Sequence, residues 1–432
     1  MSARGGAGAR PTPPPGGQSR PPLRKRKELV DPPLILRGQR RAAQSVPGEE
    51  NYVAKNSRPV TFGATGSSAP PLSNVVRLTQ RSEEQGFAAM WWADHLMGYF
   101  PASIWTPEFT ALAQVEANPH LFLDPFVAMA AAGLQTSRIK VGTLVSEPVR
   151  RHPAVLAQSF LSVDHASKGR CIAGLGSGEA MNTIPYGFEL NRPVARLEEA
   201  IKIIRLLWET DQPVSFEGEF WTLKDAVLGL GPYESGKYPP IWIAAHGPRM
   251  LQLVGKHGDG WLPYRHMDAR EYGAMLGSIR QTASQHGRDP DAIVAGLVAP
   301  MVIDVDHDSC HRLLDAPFVK MLCLLMLPTE AFRRWGGVEH PLGENYPGIS
   351  QFISTRHGRE EILSALAKVP RDVCEGYILH GTPEEVASVT REYVEHGLEH
   401  PILWNMTFVA DPAKLRSSFA LTLDAMRYVT SG

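Results

Sequence analysis

Short apolar runs alternate with amphipathic stretches of helical period from Pro59 to the C-terminal end, the pattern expected of parallel βαβ units. The runs read as strands at residues 60–65, 89–93, 139–145, 171–175, 241–245, 260–263, 294–303 and 401–405. Between them, helices are expected at 74–84, 125–134, 153–166, 194–209, 249–256, 269–286 and 383–396, several with proline in the first turn. Eight such strands predict an α/β fold closed into a (β/α)8 TIM barrel with right-handed crossovers.

Three segments between these elements exceed ordinary loop lengths. Residues 96–124 follow the second strand, 212–240 carry a hairpin expected at Val214 to Trp221, and 304 to about 372 is too long to be structureless. Insertions after barrel strands sit over the mouth, so the first and third are candidate substrate walls. Residues 1–57 are rich in Pro, Gly, Ala and Arg and carry no apolar period, so they are expected to be a disordered tail ahead of one barrel domain at 58–432. No sustained apolar stretch follows the Arg40-Arg41 pair, which favours a tail over a twin-arginine export signal.

A net charge of -1 over 432 residues gives no reason to expect a nucleic-acid partner. Cys171, Cys310, Cys323 and Cys374 form no CxxC pair, which fits free thiols in a reduced, cytoplasmic compartment. The apolar run 321–327 is far shorter than the roughly 20 residues a membrane-spanning helix needs, so a soluble, non-spanning protein is expected.

The candidate chemistry sits at strand ends. Asp94 and His95 follow the second strand, Gly176-Ser177-Gly178-Glu179 follows the fourth, and Ala245-His246-Gly247-Pro248 follows the fifth. Polar groups at the same end of successive barrel strands imply one shared site. An imidazole there titrates near neutrality and can exchange a proton with a substrate oxygen, and Glu179 offers a second titratable group. Gly174-Leu175-Gly176-Ser177-Gly178 is close to a dinucleotide fingerprint, but Glu179 stands where its third glycine belongs, so the reading is a tight turn open to a ring or a phosphate. His307 and His311 have the i, i+4 spacing a metal can use; with no further ligands evident, a solvated polar loop is expected and no metal is assigned. The apolar stretch from Phe318 to Phe332 reads either as helix packing or as the wall of a hydrophobic channel involving Leu324 and Leu325.

Trp92-Ala93-Asp94-His95, Arg151-His152-Pro153-Ala154, Gly174 to Glu179, Ile243 to Pro248 and Gly258-Asp259-Gly260-Trp261 together resemble the bacterial luciferase-like superfamily across Pro59 to the C-terminus. Within it the chain is similar to oxidoreductases that use the deazaflavin coenzyme F420. Asn191 to Arg196, Ala244 to Leu251 and Gly337 to Pro341 resemble the phthiodiolone and phenolphthiodiolone dimycocerosates ketoreductases. The resemblance implies F420 at the carboxyl end of the barrel, usually in a homodimer, and hydride exchange with a small-molecule or lipid ketone.

It also implies roles for particular residues. His95 and Glu179 are the catalytic acid/base pair, His95 protonating the substrate oxygen. Asp94, Gly176, Ser177, Gly178, Asn182, Ala245, His246, Gly247 and Pro248 are cofactor contacts. Leu144-Val145 is a non-prolyl cis peptide bulging against the deazaflavin. Tyr99, at the position where the related sugar-phosphate dehydrogenases carry tryptophan, is a substrate contact that argues against glucose 6-phosphate. An FMN-dependent monooxygenase on the same barrel and a non-catalytic flavin- or lipid-binding barrel remain alternative readings.

Overall fold

A computed structural model of the chain describes residues 58–431; the expected tail at 1–57 lies outside them. The strands are β1 (Gly63–Thr65), β2 (Ala89–Trp92), β3 (Lys140–Thr143), β4 (Cys171–Leu175), β5 (Val214–Glu217), β6 (Thr222–Ala226), β7 (Ile241–Ile243), β8 (Gly260–Trp261), β9 (Val294–Ile303), β10 (Leu379–Gly381) and β11 (His400–Asn405). The main sheet runs β10-β9-β11-β1-β2-β3-β4-β7-β8 in parallel, and β8 pairs with β9 through Gly260 and Val294 to close the ring. The expected barrel is therefore present, and β10 is a further strand attached to the carboxyl half of β9. The barrel strands are buried almost throughout, which is why they read as continuous apolar runs.

Trp91, Trp242, Leu262, Val298 and Ile402 fill the barrel interior. Trp91 fits because the flanking strands carry glycine: a Cβ on Gly63 or on Gly142 would lie 2.7 Å from its ring. Its indole donates to His400 Nε2 at 3.2 Å, and Thr61 Oγ1 is 2.9 Å from His400 Nδ1. Burial drives that imidazole down to about 3, so it is a neutral core group.

The outer shell comprises α1 (Leu72–Glu84), α2 (Pro125–Leu134), α3 (Pro153–Ser167), the short α4 (Ala180–Thr183), α5 (Pro193–Glu209), α6 (Pro248–His257) and α7 (Ala269–Gln285). Residues after β9 fold as α8 (His307–Leu314), α9 (Pro317–Met326), α10 (Thr329–Gly336), α11 (Arg359–Leu366) and α12 (Arg371–Tyr377). The chain ends with α13 (Pro383–Glu395), α14 (Thr407–Ala410) and α15 (Leu415–Ser431). Proline in the first turn of α2, α3, α5, α6 and α13 fits positions whose N–H has no helical partner. Capping boxes from Asp268 with Glu271 and from Thr382 with Glu385 start α7 and α13, each cap worth about 1 kcal/mol.

Two expectations need correction, and a third, left open between two readings, is decided by the packing. The second hairpin strand starts at Thr222, because the N–H groups of Glu219, Phe220 and Trp221 donate to the Glu199 carboxylate on α5 instead of to a strand. Residues 307–311 form the first turns of α8, capped by Asp306, and are not a loop. Leu324 and Leu325 are fully buried among the helices of the insertion, so they pack helices, whereas Phe318 lines the cavity at the barrel mouth. All four cysteines are free and buried. Among the described residues no helix is long and apolar enough to cross a membrane.

Candidate active site

Two adjoining cavities open at the carboxyl end of the barrel and share Leu144 and Tyr264 in their walls. One is lined by Asp94, His95, Glu147, Arg150, Gly176 to Glu179, Asn182 and His246. The other is bounded by aromatic side chains including Trp91, Tyr99, Phe100, Phe122, Phe318 and Trp404. Polar groups thus gather on one side of the mouth and rings on the other.

His95 and Glu179 meet on the polar side, with Nε2 to Oε2 at 3.6 Å. Asn182 on α4 ties them together: its Nδ2 lies 2.9 Å from His95 Nδ1 and 3.2 Å from Glu179 Oε2. Its Oδ1 accepts from Leu96 N at 3.0 Å, which fixes the amide orientation. His95 Nδ1 also lies 3.2 Å from the Met97 carbonyl. The shorter contact from an amide already oriented makes Nδ1 the acceptor and places the ring proton on Nε2. That nitrogen is 3.0 Å from the Tyr99 hydroxyl, on the side of the aromatic cavity.

Burial pushes the His95 imidazole down to about 4, outweighing the Met97 carbonyl and Asp94, which act the other way. Burial pushes Glu179 up to about 7, against the lowering pull of Arg150 and the Asn182 hydrogen bond. The carboxyl, not the imidazole, is therefore the group that titrates near neutrality. The Glu179 side chain keeps 26% of its surface accessible, so it can exchange a proton with a bound molecule.

Asp94 occupies a different niche. Burial alone would raise its carboxyl, but Arg150 and Arg151 hold it low. Arg151 binds both oxygens, at 2.9 and 3.1 Å, Arg150 Nη2 reaches Oδ1 at 3.2 Å, and Ser146 donates at 2.7 Å. Arg150 is in turn paired with Glu147. This buried network anchors the segment between β3 and α3 beneath the cavity; neither Arg150 nor Glu147 was singled out from sequence.

The facing walls are shaped by backbone. The Leu144–Val145 peptide is cis, and a Cβ on Gly176 would lie 2.5 Å from Val145 Cγ2, so only glycine lets the two turns approach. Gly178 has φ +97°, a left-handed conformation that suits glycine, as the chain turns toward Glu179. His246 Nε2 accepts from Tyr264 N at 2.8 Å, and burial lowers its pKa to about 3.

Three expected contacts lie outside the cavity wall. Ala245 is buried, its carbonyl accepting from Trp261 Nε1 at 2.9 Å, and Ala244 lines the cavity in its place. Gly247 and Pro248 start α6 in an exposed position. Ile349, Ser350 and Tyr264 also enter the wall of the polar cavity, brought there by the insertion and the turn after β8. Sequence reading passed over them as site residues because only long-range packing places them.

Fold and site define a barrel enzyme with its polar constellation at the carboxyl end of the strands. The chain belongs to the luciferase-like monooxygenase family, whose model matches residues 56–400. It is 37% identical over 345 residues, 78% of this chain and 92% of the relative, to a phthiodiolone/phenolphthiodiolone dimycocerosates ketoreductase of Mycobacterium kansasii. It is 27% identical to an F420-dependent glucose-6-phosphate dehydrogenase of Kineococcus radiotolerans, over 74% of this chain and 83% of that one. An F420-dependent secondary alcohol dehydrogenase, solved with an F420-acetone adduct, superposes with TM-score 0.65 at 22% identity, covering 86% of this chain and 99% of the other.

Proposed function

We propose that this chain is an F420-dependent ketoreductase acting on a hydrophobic, lipid-like ketone. The observation that carries the reading is the His95–Glu179–Tyr99 cluster at the junction of a polar and an aromatic cavity. The polar cavity suits a planar polar ring: Leu144, Val145, Gly176 and Gly178 line it, and polar groups lie around its edge. The names of the relatives support the choice of F420 and of a ketone, and the aromatic cavity supports an apolar substrate.

Reduced F420, when bound, supplies hydride to the carbonyl carbon of the ketone. His95 then presents Nε2–H to the substrate oxygen as negative charge develops there, in a dry pocket where a neutral imidazole is an effective donor. Glu179 holds the transferable proton near pH 7 and replenishes Nε2 across 3.6 Å. Tyr99 lies beside the same nitrogen and orients the substrate oxygen. Asn182 positions both groups and Asp94 anchors the loop beneath them. Optical titration of the purified protein with F420 and with FMN in parallel tests the cofactor: saturable F420 binding is expected, and tight FMN binding without F420 binding would favour the monooxygenase reading instead.

A further inference from the structure

Away from the barrel mouth, a second group of side chains converges where the insertion begins and ends. His307 and His311 sit one turn apart on α8, and His380 lies in β10, where the chain returns to the sheet. One ligand nitrogen of each lies within 4.8 Å of those of the other two, with ring centroids 4.5, 5.7 and 5.6 Å apart. We propose that His307, His311 and His380 form a divalent-metal site, suited to Zn²⁺, that clasps the start of the insertion to the strand at its end.

The surroundings orient the rings for that task. His307 Nδ1 is 2.9 Å from Glu385 Oε2, the oxygen that also accepts from Thr382 N in the cap of α13. His380 Nδ1 is 3.0 Å from the Ile378 carbonyl. Both rings are thereby held through one nitrogen with Nε2 left for a metal, the carboxylate- or carbonyl-backed arrangement usual for ligating histidines. Glu375 on α12 brings an oxygen to 3.6 Å from His311 Nε2 and flanks the third ring. Cys310, between the two helical histidines, is buried and directs Sγ to the Gly381 carbonyl, so the donor set is nitrogen and oxygen. Tetrahedral zinc with bonds of about 2.0–2.1 Å needs nitrogens about 3.4 Å apart, which the partly exposed rings on α8 reach by small rotations. The clasp would steady the insertion that contributes Phe318 to the aromatic cavity and Ile349 and Ser350 to the polar one.

The test uses tag-free full-length protein stripped with a chelator and titrated with Zn²⁺ against a chromophoric competitor. One Zn²⁺ per chain is expected. Changes around metal ligands cost about 10–100-fold in affinity, so His307→Gln with His311→Gln should weaken binding by about 100-fold or more while circular dichroism stays native. Glu375→Gln should weaken it less, and His286→Gln, on an exposed helix end, not at all. Hydrogen exchange of the wild type should slow in α8 and β10 on Zn²⁺ addition, a readout independent of any variant's folding. Absence of stoichiometric Zn²⁺ binding, unchanged affinity in the folded double variant, or unchanged exchange in α8 and β10 would each overturn the proposal.

Discussion

His95 Nε2 faces Glu179 Oε2 across 3.6 Å, and burial drives the imidazole and the carboxyl in opposite directions, to about 4 and about 7. Between the unfolded values of 4.5 and 6.5 the unfolded chain holds its proton on the histidine and the folded chain holds it on the glutamate. The proton moves, but the number bound by the pair hardly changes.

That exchange sets a stability signature. The raised Glu179 pKa stabilises the fold below the unfolded value of 4.5 and loses that contribution as pH rises through about 7; the lowered His95 pKa contributes above 6.5 and is lost as pH falls through about 4. The slopes oppose each other between about pH 4.5 and 6.5 and nearly cancel in the wild type. Glu179→Gln should expose the histidine's rising slope, and His95→Gln the glutamate's falling one. At pH 8, Glu179→Gln should be more stable than wild type by on the order of 2 kcal/mol, and at pH 4 the two should match. Urea unfolding across pH 4–8 measures this, and parallel curves for all three proteins would refute it.

Activity should show the opposite preference. His95→Ala and Glu179→Gln should each lower the rate of ketone reduction by about 10²–10⁴-fold while leaving cofactor affinity within a few-fold of wild type. Stopped-flow reduction at saturating cofactor separates the two effects.

Asn182 donates a hydrogen bond that lowers the Glu179 pKa. Asn182→Ala should therefore move the basic limb of the pH–rate profile upward from about 7, since the protonated carboxyl then persists to higher pH. An unmoved limb would detach that limb from Glu179.

Asp94 contributes through the network it closes. Asp94→Ala leaves Arg150, with a side chain only 5% exposed, without one of its two acidic partners, and should cost about 3 kcal/mol in urea unfolding. A near-neutral result would mean that the loop between β3 and α3 does not depend on this pairing.

The barrel was legible because strands covered on both faces carry uninterrupted apolar runs, as in Met90-Trp91-Trp92, and because Pro-led helices announce their starts. β10 was not legible: Leu379-His380-Gly381 is short, and its strand identity comes from pairing with Met301 to Ile303. Likewise α8 to α12 are brief and separated by proline or glycine, and their burial depends on one another. At the site, strand-end positions pointed to His95, Glu179 and their glycine-rich neighbour, which the fold brings to one cavity. The shift of titration from imidazole to carboxyl could not be read, because it comes from desolvation in a pocket assembled from β2, β4 and α4.

Phe318 marks where the insertion touches the aromatic cavity, whereas Leu324 and Leu325 are core. Phe318→Ala should raise KM for a long-chain ketone by about 10-fold and leave acetone-sized ketones nearly unaffected, as expected for lost apolar contact remote from the carbonyl. Equal effects on both substrates would place Phe318 outside the substrate path.

Single-turnover mixing of the protein, loaded with reduced F420, with an apolar ketone probes the proposed chemistry most directly. The absorbance of oxidised F420 should appear with one equivalent of alcohol in the wild type and fail to appear on the same timescale in the His95→Ala, Glu179→Gln double variant. Oxidation at equal rates in both proteins, or no alcohol from the wild type, would contradict it.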